Sequence, residues 1–127
     1  MAKILLDTSV IVDYLRRVDK DQTILQQLAQ NKNELYISIV THTECYAGKN
    51  IWESEDARYA LGVFLSGLKI LSLEEKTSEK AGEIKAKFGT KIPDAIIAAT
   101  AISFKLQLAT LNARDFEKIK NIKLLKL

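Results

Sequence analysis

The chain has 127 residues, 47% hydrophobic and 28% charged, with 19 lysines and arginines against 16 acids and a net charge of +3. Those proportions exclude a disordered or fibrous polypeptide, and the length predicts one continuous domain over residues 1–127. The single cysteine, Cys45, excludes an intrachain disulfide, and no apolar run reaches the about 20 residues of a bilayer span, so a reducing, cytoplasmic setting with no membrane insertion is expected.

Lys3 to Asp7 (KILLD) reads as a short buried strand that ends at an acid. From Ser9 to Arg17, Val10, Ile11, Tyr14 and Leu15 share one helical face, and Ile24, Leu25, Leu28 and Ala29 repeat the spacing in a second helix. Leu35 to Val40 (LYISIV) returns to β-branched and aromatic composition and predicts a strand. Thr41 to Lys49 suggests a helix ending at Gly48, and Ala57, Ala60, Leu61, Phe64 and Leu65 mark the next, stopped at Gly67. Leu68 to Leu73 alternates like a strand, and Glu75 to Phe88 carries a thin apolar stripe that Gly89 ends. Pro93 opens a helix, PDAIIAATAISF, that is apolar around nearly its whole circumference and so belongs inside the protein. Leu106 to Leu111 and Ile122 to Leu127 complete about five expected strands. Alternating strands and helices predict an α/β/α sandwich around a mostly parallel sheet, because crossover helices must cover both of its faces.

Four acids stand out by position: Asp7, Glu44 and Asp115, each just after a strand, and Asp94, which opens the interior helix. Each also has a plain structural reading. Asp7 could cap the first helix, Thr41 and Glu44 form a T-x-x-E capping box, and Asp94 and Asp115 could oppose helix dipoles. In a parallel α/β sheet, however, the carboxyl ends of strands and the amino ends of crossover helices lie along one rim, where such folds place their ligands. Two carboxylates about 5 Å apart repel by roughly 3 kcal/mol at an effective dielectric near 20, so a converging quartet calls for a counter-charge. Hard oxygen ligands without histidine or cysteine select Mg²⁺ or Mn²⁺ over zinc, which points to phosphoryl or phosphodiester chemistry.

Four blocks, LLDTSVIVDYL, THTECYAG, PDAIIAATA and LATLNARDF, occur in an order and spacing that resemble PIN-domain ribonucleases across practically the whole chain. The size and spacing resemble the VapC-type toxins of toxin–antitoxin pairs. The resemblance implies a metal-dependent endoribonuclease that cuts single-stranded or looped RNA, leaving a 5′-phosphate and a 3′-hydroxyl. It implies that Asp7, Glu44 and Asp94 hold Mg²⁺ or Mn²⁺ and activate water. The last block contains both Asn112 and Asp115; by charge Asp115 is the fourth site residue, with Asn112 left a capping role. Ser9 and Thr110 match the family's pattern as hydroxyls that orient the acids, or else serve in caps and turns. The same resemblance implies an RNA substrate, a cognate VapB-like antitoxin and a homodimer. A stand-alone RNA-processing nuclease and a non-catalytic interaction module are the alternatives.

His42 and Cys45 offer only two soft ligands, too few for zinc, and neither a G-x-S-x-G elbow nor a glycine-rich phosphate loop occurs. Without the four rim acids, 19 basic residues face 12 acidic ones, a surplus suited to an RNA-binding surface. Lys85, Lys87 and Lys91 are candidates for phosphate contact, but a solvated face is the plainer reading for them, as for Lys118, Lys120, Lys123 and Lys126. Tyr46, Trp52, Tyr59 and Phe64 read as core or interface residues.

Overall fold

A computed structural model describes residues 2–127. The apolar run after Ala2 forms β1 (Lys3–Leu6), and the chain turns at Asp7 into α1 (Thr8–Arg16). A 3-10 turn at Lys20–Gln22 leads to α2 (Ile24–Gln30), where the Thr23 hydroxyl accepts from the Gln26 N–H at 3.3 Å. Strand β2 (Glu34–Ser38) runs straight into α3 (Ile39–Tyr46), followed by α4 (Lys49–Trp52), α5 (Glu55–Leu65) and β3 (Lys69–Leu71). The corner at Gly89–Lys91 joins α6 (Glu75–Phe88) to α7 (Ile92–Ser103); β4 (Gln107–Ala109) and a 3-10 turn at Ala113–Asp115 come last. Gly89 adopts φ +70, the left-handed conformation that lets its N–H close α6 on the Lys85 carbonyl at 2.9 Å.

The sheet order is β3-β2-β1-β4, and every pairing is parallel. Strand β1 lies inside the sheet and is buried on both faces, which explains why its run is apolar without alternation. Leu5 packs into a cluster with Ile84 of α6, Ile97 of α7 and Leu108 of β4, whereas Ile4 and Leu6 pack with Val10, Leu25 and Leu61 on the opposite face. This is the α/β/α sandwich expected from the sequence. Ala95, Ala98, Ala99 and Ala101 of α7 are all buried, and their small side chains let that helix sit close against its neighbours.

The described residues form four strands rather than five. Ile122 to Leu127 makes a single parallel bridge, Leu108 to Leu124, with the Leu108 N–H donating to Lys123 O and the Leu125 N–H to Leu108 O, both at 2.8 Å. Asn121, held at φ 72, turns the chain so that it touches β4 at one point instead of running alongside it. Strand β2 stops at Ser38, and Ile39 and Val40 belong to α3; β-branched residues at a strand-to-helix junction suit either state. The cap of α3 is therefore Ser38, whose hydroxyl accepts from the Val40 N–H at 3.1 Å, and not the T-x-x-E box, which lies inside the helix. Helix α3 ends at Tyr46, two residues before Gly48, and Gly48 instead precedes the short α4, which composition did not signal. Ser38→Ala is expected to destabilise the protein by about 1 kcal/mol, read by urea unfolding, since it removes the acceptor for an otherwise unpaired amide.

Candidate active site

Two corners of the sheet bring the acids to its carboxyl edge. Asp7 directly follows β1 and Thr110 directly follows β4; these strands are hydrogen-bonded neighbours, and Asp7 N–H donates to the Ala109 carbonyl at 2.9 Å. From β1 the chain proceeds to β2 on one side while β4 closes the other, so the β1/β4 crevice is where the strand order reverses. Asp7 is buried, 4% exposed, and its side chain makes no cap hydrogen bond to α1. Instead Oδ2 accepts from Ser9 Oγ and from Thr110 Oγ1, both at 2.7 Å. Those hydroxyls are fixed in turn: the Leu111 N–H donates to Ser9 Oγ at 3.1 Å and the Asn112 N–H to Thr110 Oγ1 at 3.0 Å. The carboxylate is thus braced by hydroxyls rather than by the helix amides, and its second oxygen takes no part in these bonds.

Glu44 is anchored from the same β1–α1 corner. Thr8 Oγ1 donates to Glu44 Oε1 at 2.7 Å and lies 2.9 Å from the buried Thr41 hydroxyl, one helical turn before Glu44 on α3. Asp94 sits in the first turn of α7. Burial, followed by the charges of Asp7, Asp115 and Glu44, pushes its carboxyl up to about 6, with only Lys91 acting in the opposite direction. The charges of the other three sequence-selected acids therefore all bear on Asp94. Asp94 and Asp115 also line a common pocket, of which Asn112 is not a part. Asn112 occupies the cap position of the last 3-10 turn, but its side chain makes no cap hydrogen bond.

No ion pair among the described residues involves any of these four acids. Clustered carboxylate oxygens, hard donors, fit a hard divalent cation. As the side chains stand, no three acids among the described residues converge closely enough to enclose an ion, so binding requires rotamer adjustment, most readily by exposed Glu44 and Asp115.

His42 and Cys45 form no competing centre. The His42 ring packs on Tyr46 at 5.0 Å, Tyr46 packs on Trp52 at 6.3 Å, and Trp52 Nε1 donates to the Tyr46 carbonyl. Burial and the neighbouring Glu44 push the Cys45 thiol up to about 11, leaving it protonated and a poor metal ligand at neutral pH. Phe64 stacks on Tyr14 at 5.2 Å and belongs to the core, whereas Trp52 and Tyr59 are exposed. Sequence reasoning overlooked Thr8, the residue that links Thr41 and Glu44. Its place between an acid and a serine on a strand-to-helix corner was the available signal.

A parallel α/β/α sandwich with hydroxyl-braced acids where its strand order reverses defines a candidate acid-lined hydrolase site. The PIN domain family matches residues 4–122, and the chain belongs to that family. Nucleases of this family generally depend on a divalent metal. Ribonuclease VapC19 of Mycobacterium tuberculosis is 32% identical over 117 residues, spanning 88% of this chain and 90% of that protein. The tRNA(fMet)-specific endonuclease VapC of Salmonella typhimurium is 28% identical over 131 residues, covering 98% and 97% respectively. In the crystal structure of VapBC2 from Rickettsia felis bound to a promoter DNA fragment, the matching chain is 25% identical with a TM-score of 0.79, over 98% of both chains. Among the described residues no helix is long and apolar enough to cross a membrane.

Proposed function

We propose that this chain is a Mg²⁺- or Mn²⁺-dependent endoribonuclease, the toxin of a VapBC-type pair, with Asp7, Glu44, Asp94 and Asp115 as its acidic residues. The observation that carries the reading is the gathering of Asp7, Asp115 and Glu44 around Asp94, none of the four in an ion pair among the described residues, on the rim where Asp7 is braced by hydroxyls. The names of the relatives, ribonuclease and endonuclease, and the toxin–antitoxin complexes among similar structures support it. Asp7, Glu44, Asp94 and Asp115 would hold the divalent ion, which would supply Lewis acidity for phosphodiester hydrolysis. The protein's part is positional. Ser9 and Thr110 orient Asp7, Thr8 restrains Glu44, and the first turn of α7 carries Asp94 to the same rim. Asp115 rather than Asn112 is the fourth member, because it shares the pocket with Asp94.

A VapB-like antitoxin and a second copy of the chain are the proposed partners. The purified protein should cut RNA into fragments with 5′-phosphates when Mg²⁺ or Mn²⁺ is present, stop in chelator, and resume on addition of excess Mn²⁺. Cleavage that persists unchanged in chelator would defeat the metal-dependent reading.

A further inference from the structure

Two pockets lie along the seam where the α6–α7 corner meets the segment after β4. The inner one is lined by Thr90, Lys91, Arg114 and Lys118 together with Asp94 and Asp115. The outer one is lined by Lys80, Lys87 and Lys120, among others. They adjoin, because Phe88 lines the outer and Gly89 the inner, and Lys120 and Lys118 do the same on the opposite wall.

The cations of the two pockets differ in how they are engaged. Lys80 and Lys87 both bridge Glu83, at 3.1 and 2.9 Å. Among the described residues no carboxylate lies within bridging distance of Lys91, Arg114 or Lys118, although two acids line the same pocket. Three free cations around one concavity attract an anion, and the guanidinium of Arg114 offers paired donors that match phosphate geometry. The amides of Ile92 and Asp94 in the first turn of α7 have no carbonyl partner within the helix. Thr90 supplies a separate indication. It is 4% exposed, and its Oγ1 is the one buried side-chain polar atom without a hydrogen-bond partner among the described residues. A bare buried hydroxyl is unfavourable, and a turn of the Thr90 side chain toward the pocket it lines would give it a phosphate oxygen as acceptor.

We infer that this seam is the phosphate track for the RNA strand: Lys91, Arg114, Lys118 and Thr90 hold the backbone phosphate next to the scissile one, and the outer lysines guide the chain beyond it. The inference rests on the ribonuclease reading and adds the direction in which substrate leaves the acidic rim. It also divides the lysines differently from their order in sequence. Lys91 and Lys118, 27 positions apart, share one pocket, whereas Lys85 lines neither.

The test is fluorescence anisotropy of a labelled single-stranded oligouridine with the full-length protein at low salt in chelator, where cleavage is halted. The double variant Lys91→Ala/Arg114→Ala should bind about tenfold more weakly, and its salt dependence should be shallower by about 0.7 for each phosphate that is no longer neutralised. Lys3→Ala/Lys49→Ala, exposed lysines outside both pockets, should change affinity by less than about twofold. Thr90→Val should melt no lower than wild type, since it removes an unpaired hydroxyl, yet bind RNA roughly threefold more weakly. In cleavage of bulk RNA with Mn²⁺, the Lys91/Arg114 variant should show a raised KM. Equal losses in both double variants, or unaltered RNA affinity without Lys91 and Arg114, overturn the inference while wild-type cleavage leaves the ribonuclease reading intact. Wild-type protein that neither binds nor cuts RNA overturns both.

Discussion

Replacing Asp94 with asparagine is expected to lower RNA cleavage by roughly 10²–10⁴-fold while making the metal-free protein more stable at neutral pH. The two effects share one cause. Asp94 enters the first turn of α7 against burial and the negative charges of Asp7, Asp115 and Glu44. Its carboxyl is pushed up to about 6 from the usual 3.8, so the folded protein takes up that proton more readily than the unfolded chain. The favourable contribution is complete below about pH 4 and is lost as pH rises to about 6. At pH 7 the ionised group costs about 1–2 kcal/mol, once the partial access of solvent is allowed for. Asparagine removes that cost. Thermal melts in chelator between pH 4 and 7 should show the wild type losing stability relative to Asp94→Asn across this window. Equal melting curves, or a variant that still cuts RNA at the wild-type rate, would contradict the role given to this acid.

The second large effect is expected at Phe116, which follows Asp115 and is buried, 1% exposed, in the cluster with Leu5, Ile97 and Leu108. Phe116→Ala should cost about 3–5 kcal/mol, because the surrounding strands and helices cannot collapse fully into the space left. For a chain of this size that is a melting temperature lower by roughly 10–20 °C, measurable by calorimetry. Phe116 also anchors the segment that carries Arg114, Asp115 and Lys118, so cleavage should fall even well below the melting temperature. Phe116→Leu, which retains most of the apolar volume, should recover most of both losses. A Phe116→Ala protein that melts like wild type would show that this segment is not pinned by its aromatic ring.

Part of the candidate site was legible because Asp7 and Asp94 occur at junctions. K-I-L-L-D places Asp7 at the end of a strand, and P-D-A-I-I places Asp94 in the first turn of a helix too apolar for any position but the interior. Parallel topology alone then carries both to one edge. Local alternatives were harder to separate. Thr41 and Glu44 have the spacing of a capping box, but the same i, i+3 spacing places them on one face within a helix, and the cap had already been taken by Ser38. Ile39 and Val40 suit strand or helix equally, and Ile122 to Leu127 alternates like a strand although it meets β4 at a single bridge. Beyond local pattern lies the meeting of Lys91 with Arg114 and Lys118, since exposed cations carry no periodic signal of the partners they will face.

The two outer margins of the sheet are protected unequally. On the β4 side, the residues around Leu124 occupy backbone donors and acceptors that would otherwise face outward. On the β3 side, the shortness of Lys69–Leu71 and the pairing of Lys69 with Glu34 at 3.2 Å are the guards. The last few residues thus act as a bumper. Trimming them would bare the β4 flank to strand addition from neighbouring molecules while leaving the acidic rim untouched.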